Sequence, residues 1–539
     1  MNKIPIFEKA RSQNIRFGNS EGRPPEALFF IFLFVIAAFF IVLGLRLFQL
    51  TVVKGEYFRN LSDENRIREI VIEAPRGKIT DRKGFIVAKS EAPNVDETNQ
   101  RIDSKRIYFE PEAIAHLVGY RQMADPKDIV DDNCLYKLKA GDKIGKKGVE
   151  KIFECDLRGV AGKKLIEVDA LGKFLKTLNV IPPTPGRDIA LAFDLDLQKK
   201  AVELLQGKKG VIIANDPSTG EVLTLVSSPS YNIQDFENQN SINIERYLHD
   251  KEQPLFNRAT EGIYAPGSIF KLAIATAALE EKAVTEKTEF EDTGVVTAGT
   301  LKFGNWYFLE HGKTDGMVNL VKALQRSNDI YFYLAGEKTG EDKIKKWSEI
   351  LGYGKKTGIG LNEEVGVIPN PFWKETNIGD RWYTGDTYNL SIGQGYVSTT
   401  PIQTLIVTNV FANGGYLCQP KLLKDASPNC KKLPVSQKTL DSVNEGMRQV
   451  CSTGGTGWPL FDFKAKKNNK EEAIVTACKT GTAESHSESG KPHAWITVYA
   501  PYEKPEIALT VLVEEGGQGS DVAGPIARDL LKAYFERSQ

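Results

Sequence analysis

The chain has 539 residues, 41% hydrophobic and 26% charged, with 70 basic and 70 acidic side chains and no net charge. That length allows several domains and a large core. A balanced charge, with no basic stripe interleaved with aromatics, argues against nucleic acid as a partner.

Residues 1–26 are polar, with Lys3, Lys9, Arg11, Arg16 and Arg23 against Glu8, Glu21 and Glu26. Residues 27–45 then run without a charge. About 20 apolar residues suffice to span a bilayer core of about 30 Å. No small-residue cleavage site follows, so the pattern predicts one retained transmembrane helix over 27–50. The basic flank lies on its N-terminal side, which predicts a cytoplasmic tail at 1–26 and an extracytoplasmic remainder.

A helical stretch is expected over 57–68. Short β-rich runs follow at 70–88, broken by Arg76-Gly77 and Lys83-Gly84 turns, and read as extended ribbons. Arg76, Asp81 and Arg82 read as a structural ion-pair set. Residues 51–186 are taken as a non-catalytic, β-rich pedestal module closed by Pro182, Pro183, Pro185 and Gly186.

From 187 to 539 the pattern changes. A strand is expected at 188–193 and a helix at 196–205. Residues 210–216 and 220–227 read as a hairpin of buried strands around an Asp-Pro-Ser-Thr-Gly turn. The chain ends with strand-like runs at 473–478, 493–499 and 506–514 and an amphipathic helix at 522–535. Strands from both ends with helices between predict an α+β domain, an antiparallel sheet flanked by helices.

Three stretches carry chemistry. Tyr264-Ala265-Pro266-Gly267-Ser268-Ile269-Phe270-Lys271 is a tight turn entering an apolar helix. Residues three apart share a helix face, so Lys271 is placed to reach the Ser268 hydroxyl and, if neutral, to take its proton. Taken alone, the same pattern suits a capped helix with a solvated lysine. Ser327-Asn328-Asp329 offers a hydroxyl to relay a proton and a carboxylate to hold Ser327 or a lysine, or to bond a substrate amide. Lys-Thr-Gly occurs at Lys338, Lys356 and Lys479. Lys338 ends a helix, Lys356 lies in a surface loop, and only Lys479 extends a buried strand, 474–478. There Gly481 would let a substrate backbone approach, while Lys479, Thr480 and Thr482 would bind a carboxylate. The Ser268 and Thr482 N–H groups would form an oxyanion hole. Lys271 is expected to be neutral through burial and the nearby charge of Lys479.

The six cysteines are Cys134, Cys155, Cys418, Cys430, Cys451 and Cys478. They form no CxxC pair, and no HExxH occurs among the histidines, so no metal site or cofactor is expected. Cys418 and Cys430 are near enough in sequence to pair, and Cys478 reads as a thiol directly beside Lys479.

The ordered set Ser-x-x-Lys, Ser-x-Asp, Lys-Thr-Gly resembles the signature of active-site serine penicillin-interacting enzymes. Ala74-Pro75-Arg76-Gly77-Lys78-Ile79-Thr80-Asp81-Arg82 resembles the first box of class B penicillin-binding proteins. Asn257-Arg258-Ala259, Ser391-Ile392-Gly393-Gln394-Gly395, Thr400-Pro401-Ile402-Gln403 and His493-Ala494-Trp495 look like further boxes. Asn65-Arg66-Ile67-Arg68 and the Tyr264-x-Pro-Gly-Ser form are more like the elongation type, penicillin-binding protein 2, than the septal type. No stretch resembles a glycosyltransferase domain. The resemblance implies a peptidoglycan D,D-transpeptidase working through a Ser268 acyl-enzyme, with stem peptides as substrates and β-lactams as acylating agents. It also implies the bacterial plasma membrane as its location, and as partners a membrane glycosyltransferase of the shape, elongation, division and sporulation (SEDS) type with other elongation-complex proteins. A septal transpeptidase, a β-lactam sensor or β-lactamase-like protein, and a non-catalytic activator are the rival readings.

Overall fold

The computed structural model describes residues 26–95, 101–169, 171–467, 470–485 and 489–537; the expected cytoplasmic tail lies outside them. The chain divides into two compact units, one of residues 1–70 with 164–180, the other of residues 71–163 with 181–539.

The first unit contains helix α1 (Glu26–Phe48). The apolar stretch Ala27–Val53 has a mean hydropathy of 3.2 and no buried residue, and is long and apolar enough to cross a membrane. A second helix, Gly55–Arg66, gives way to strand Ile67–Ile72 two residues before the expected end of the helix. Strand Phe174–Ile181 is exposed along its whole length.

In the second unit, the 71–163 segment supplies strands Ile79–Thr80, Ile86–Glu91 and Lys105–Tyr108. The strand expected at 188–193 is short, Ile189–Ala190, and pairs in parallel with Ile79–Thr80 in this same small sheet. Arg76, Asp81 and Arg82 do not form one ion-pair set. Arg76 meets Glu150 (2.8 Å) and Glu154 (2.7 Å), and Arg106 meets Glu150 from another side (2.8 Å). Arg121 joins Glu73 (2.6 Å) and Glu237 (2.8 Å). Asp81 instead accepts the backbone N–H groups of Lys83, Phe85 and Leu195, and Arg82 faces Glu221. Buried charge persists only where it is paired and hydrogen-bonded. Burial pushes the Glu150 carboxyl up, but Arg106 and Arg76 outweigh it and hold it at about 2.

The remaining chain builds a five-stranded antiparallel sheet: β1 (Gly210–Asn215), β2 (Val222–Ser228), β3 (Ala477–Ala483), β4 (His493–Ala500) and β5 (Ile507–Val513), in the order β2-β1-β5-β4-β3. The first hairpin turns at Asp216–Gly220 as its sequence predicts. Alternate side chains serve opposite faces. Val211 and Ile213 join the core beneath helices α2 (Lys271–Glu280), α3 (Asp329–Thr339) and α4 (Pro401–Ala412). Ile212 and Ala214 join the core under α5 (Gly519–Glu536). With both faces covered, the strands read as continuous apolar runs. The Lys479 strand differs from expectation. Residues 474–476 carry no strand, and Lys-Thr-Gly lies inside β3, because pairing with β4 (Lys479 opposite Thr497) decides its extent. β3 is the edge of the sheet, so one side of its backbone stays open.

Candidate active site

Ser268 sits in a single 3₁₀ turn, Gly267–Phe270, directly ahead of α2. The turn is jammed against β3. Gly267 has φ +55°, donates its N–H to Gly393 O (2.9 Å), and would bring a Cβ within 2.8 Å of Thr482 O. Only glycine meets both demands. Ser268 is left partly exposed while Lys271 is wholly buried.

Ser327 ends the helix Leu320–Arg326 in the left-handed region, φ +53°. A non-glycine residue holds that conformation only when its surroundings fix it. Here Asn328 caps α3 through Tyr331 N–H (3.0 Å) and donates to Asp292 (2.9 Å) and Asp315 (3.1 Å). Asp292 also accepts from Asn305 (2.8 Å), whose Oδ1 receives the Asp329 N–H (3.2 Å).

These segments bring Lys271, Ser327, Asp329 and Lys479 together. Lys271 Nζ donates to Asp329 Oδ1 (2.6 Å), Ser327 O (2.7 Å) and Ser327 Oγ (3.3 Å). That uses the three N–H bonds of an ammonium, and among the described residues it makes none to Ser268. Lys479 Nζ donates to Ser327 Oγ (2.9 Å) and Thr480 O (2.9 Å). Asp329 holds a lysine, not Ser327; its other oxygen accepts Trp306 N–H (2.9 Å).

The electrostatics follow the expected direction for Lys271, through burial rather than through Lys479. Burial lowers Lys271, but Asp329 pulls it back toward charge. Burial, and then the charge of Lys271, push Lys479 well below the ordinary lysine value, with Asp329 only partly opposing. Both amines thus lie below the ordinary lysine value, and of the two only Lys271 has the carboxylate in hydrogen-bond contact.

Thr480 Oγ1 pairs with Thr456 Oγ1 (2.6 Å), and Thr482 Oγ1 accepts Gly519 N–H (3.3 Å). Gln394 Nε2 donates to Thr482 O (3.3 Å), so that carbonyl points out from the open edge of β3. In an antiparallel strand the N–H of the same residue points the same way. Thr482 N–H thus faces the side from which an oxyanion would be held. Gly481 has a packing reason besides the one expected. Its missing Cβ would meet Ile269 Cγ1 and Pro266 O at 3.0 Å, so it admits the nucleophile turn. Cys478 is no free thiol; it is bonded to Cys451. Cys418 does pair with Cys430, and Cys134 with Cys155. Lys338 and Lys356 are both exposed, Lys338 near the end of α3, and take no part. Sequence reasoning missed Asp292, Asn305, Asp315 and Thr456. Gln394 stood inside a recognised box without a role.

A partly exposed serine one turn ahead of a buried lysine, with a second buried lysine sharing that lysine's bridging hydroxyl, is suited to forming and breaking an acyl ester, and an antiparallel sheet between helices carries it. This is the class of penicillin-interacting acyl-serine proteins. The penicillin binding protein transpeptidase domain matches residues 210–532, and the penicillin-binding protein dimerisation domain matches residues 92–191. The peptidoglycan D,D-transpeptidase MrdA of Haemophilus influenzae is 34% identical over 472 residues, covering 80% of this chain and 70% of that protein. The penicillin-binding protein PBP2 of Helicobacter pylori, solved in complex with MreC, matches with a TM-score of 0.74 at 30% identity, over 87% of this chain and 99% of that one. A chain of a peptidoglycan synthase complex described as coordinating polymerization and crosslinking matches with a TM-score of 0.73 at 28% identity, over 95% and 98%. The chain belongs to the penicillin-binding protein transpeptidase family.

Proposed function

We infer that this protein is a peptidoglycan D,D-transpeptidase of the elongation type. Ser268 Oγ attacks the carbonyl of the penultimate D-alanine of a stem peptide. The new ester forms as the C–N bond to the last D-alanine breaks, and that residue leaves as an amine carrying the proton lost by Ser268. An amine of a neighbouring stem then attacks the ester, restores the serine and completes the cross-link. β-Lactams acylate the same oxygen. The observation that carries this reading is the Ser327 hydroxyl held between Lys271 and Lys479. Lys271 keeps the positive charge beside Asp329, and the Lys479–Ser327 pair moves the proton. The N–H groups of Ser268 and Thr482 hold the oxyanion, and Thr480 and Thr482 bind the terminal carboxylate.

Labelling with fluorescent penicillin followed by peptide mapping tests the reading. The label is expected on Ser268 and absent from Ser268→Ala; covalent label retained in that variant refutes the assignment. A long-lived adduct supports a transpeptidase over a β-lactamase, and loss of wall function in a Ser268→Ala strain excludes a mere activator. The elongation role rests on the relatives named MrdA and PBP2. With it comes a single-pass anchor at Ala27–Val53, its N-terminus cytoplasmic and the catalytic part outside. Residues 51–186 act as the pedestal and 187–539 as the transpeptidase domain. A SEDS-type glycosyltransferase and an MreC-like protein are the partners, in line with the two solved assemblies.

A further inference from the structure

The loop at 451–457 belongs to none of the recognised motifs, yet it touches both walls of the site. Cys451 ends the helix Gln437–Val450 and is bonded to Cys478, the residue directly before Lys479. Both sulfurs belong to buried residues. Thr456 Oγ1 meets the Oγ1 of Thr480, the residue directly after Lys479, at 2.6 Å. The loop therefore grips β3 on either side of Lys479. Its middle holds the opposite wall: Arg326, the residue before Ser327, donates to Gly454 O (2.8 Å), and Gln325 donates to Thr453 O (3.4 Å). Ser520 Oγ donates to Thr456 O (2.7 Å) and ties the loop to α5 as well. Gly457 is what lets the loop close, since a Cβ there would stand 2.6 Å from Cys478 Sγ.

Lys479 and Ser327 come from distant parts of the chain and must meet within hydrogen-bond range. Only a short path can hold two such segments at a fixed separation. Here the path runs from Lys479 through Cys478 and Cys451 to Gly454, and on to Arg326 and Ser327. The helix Gln437–Val450 supports it from behind, with Gly446 so close to Leu324 that a Cβ would lie 2.4 Å from it.

We propose that the 451–457 loop is a positioning clamp, in which the Cys451–Cys478 disulfide and Thr456 hold Lys479 against Ser327 for the acyl transfer. The inference rests on the transpeptidase reading above. Cys451, Cys478 and Thr456 act through Lys479 and do not touch the reacting atoms. The charged groups facing Lys479 are Lys271 on α2 and Asp329 at the start of α3. A loosened β3 admits water to the Lys479 amine and returns its proton affinity toward that of an ordinary lysine.

The test uses the detergent-solubilised full chain and the second-order rate of acylation by a fluorescent penicillin, followed against pH. The double variant Cys451→Ala/Cys478→Ala is expected to acylate about 10- to 100-fold more slowly, the scale of a small misplacement. Its ascending pH limb should move to higher pH, since more base is needed to free the amine. Thr456→Val, near-isosteric and able to fold with the disulfide intact, should shift the limb the same way with a smaller loss of rate. An unchanged rate and limb in either folded variant overturns the clamp. So does a slower rate with an unmoved limb, which is what lost stability alone would give. Failure of the unaltered chain to acylate at all is a distinct result and overturns the transpeptidase reading first.

Discussion

Lys479 Nζ stands 2.9 Å from Ser327 Oγ, although 152 residues separate the two in sequence. Lys271 donates to the same oxygen at 3.3 Å. A hydroxyl has two lone pairs and one hydrogen. With both lone pairs taken by amines, the hydrogen of Ser327 remains for proton traffic.

Removing that hydroxyl disconnects the two lysines. Ser327→Ala should slow penicillin acylation by about 10²- to 10⁴-fold, the usual contribution of positioned proton transfer. The residual label should still map to Ser268. A wild-type acylation rate in this variant would remove Ser327 from the relay.

Lys479 carries a testable stability signature. Its folded pKa is depressed below the ordinary 10.5. The unfolded chain therefore binds the proton more readily, which lowers stability below that pH and increasingly so down to the folded pKa. Lys479→Met should abolish acylation yet raise stability at neutral pH, because the unfolded chain no longer gains from taking up that proton. The gain should vanish as the pH rises past the ordinary lysine value. Urea titrations at neutral and alkaline pH check the sign; a destabilised variant at neutral pH contradicts it.

The Lys271–Asp329 pair is 2.6 Å long, with Lys271 fully buried and the Asp329 side chain 10% exposed. Asp329→Asn leaves a buried ammonium without its counter-charge. The loss should be about 3 kcal/mol near neutral pH, within the range for breaking such pairs. It should shrink at high pH, where Lys271 sheds its proton and the charge disappears. Equilibrium unfolding across pH reads both parts, and a loss that does not vary with pH would contradict a charged Lys271.

Gly481→Ala tests how the nucleophile is seated. The new methyl meets Pro266 O and Ile269 Cγ1 at 3.0 Å and Trp495 Cβ at 3.2 Å. Overpacking of this kind costs about 1–3 kcal/mol. Part of that should appear as slower acylation, because the Ser268 turn is what must move. Unaltered acylation kinetics would show that the turn has slack.

Much of this molecule was legible from local pattern. The uncharged run at 27–45, the hairpin at 210–228 and the closing helix each follow a periodicity carried by neighbouring residues. The order of the Ser268, Ser327 and Lys479 motifs was likewise visible, as was the choice of Lys479 over Lys338 and Lys356. What was misread shares a feature. The start of β3 depends on His493–Ala500 across the sheet, and the partners of Arg76 come from Glu150 and Glu154. The bond of Cys478 to Cys451 lies in a segment that packs there from elsewhere.

By itself, then, the sequence determined which residues are present for the chemistry and in what order, because motif spacing and hydrophobic period are local properties of the chain. Only the tertiary structure decided which lysine has a carboxylate beside it. Both amines are buried and both lie below the ordinary lysine value, but Asp329 is hydrogen-bonded to Lys271 alone. A proton's preference is set by distances of a few ångströms between side chains, and those distances exist only after the distant segments have closed on one another.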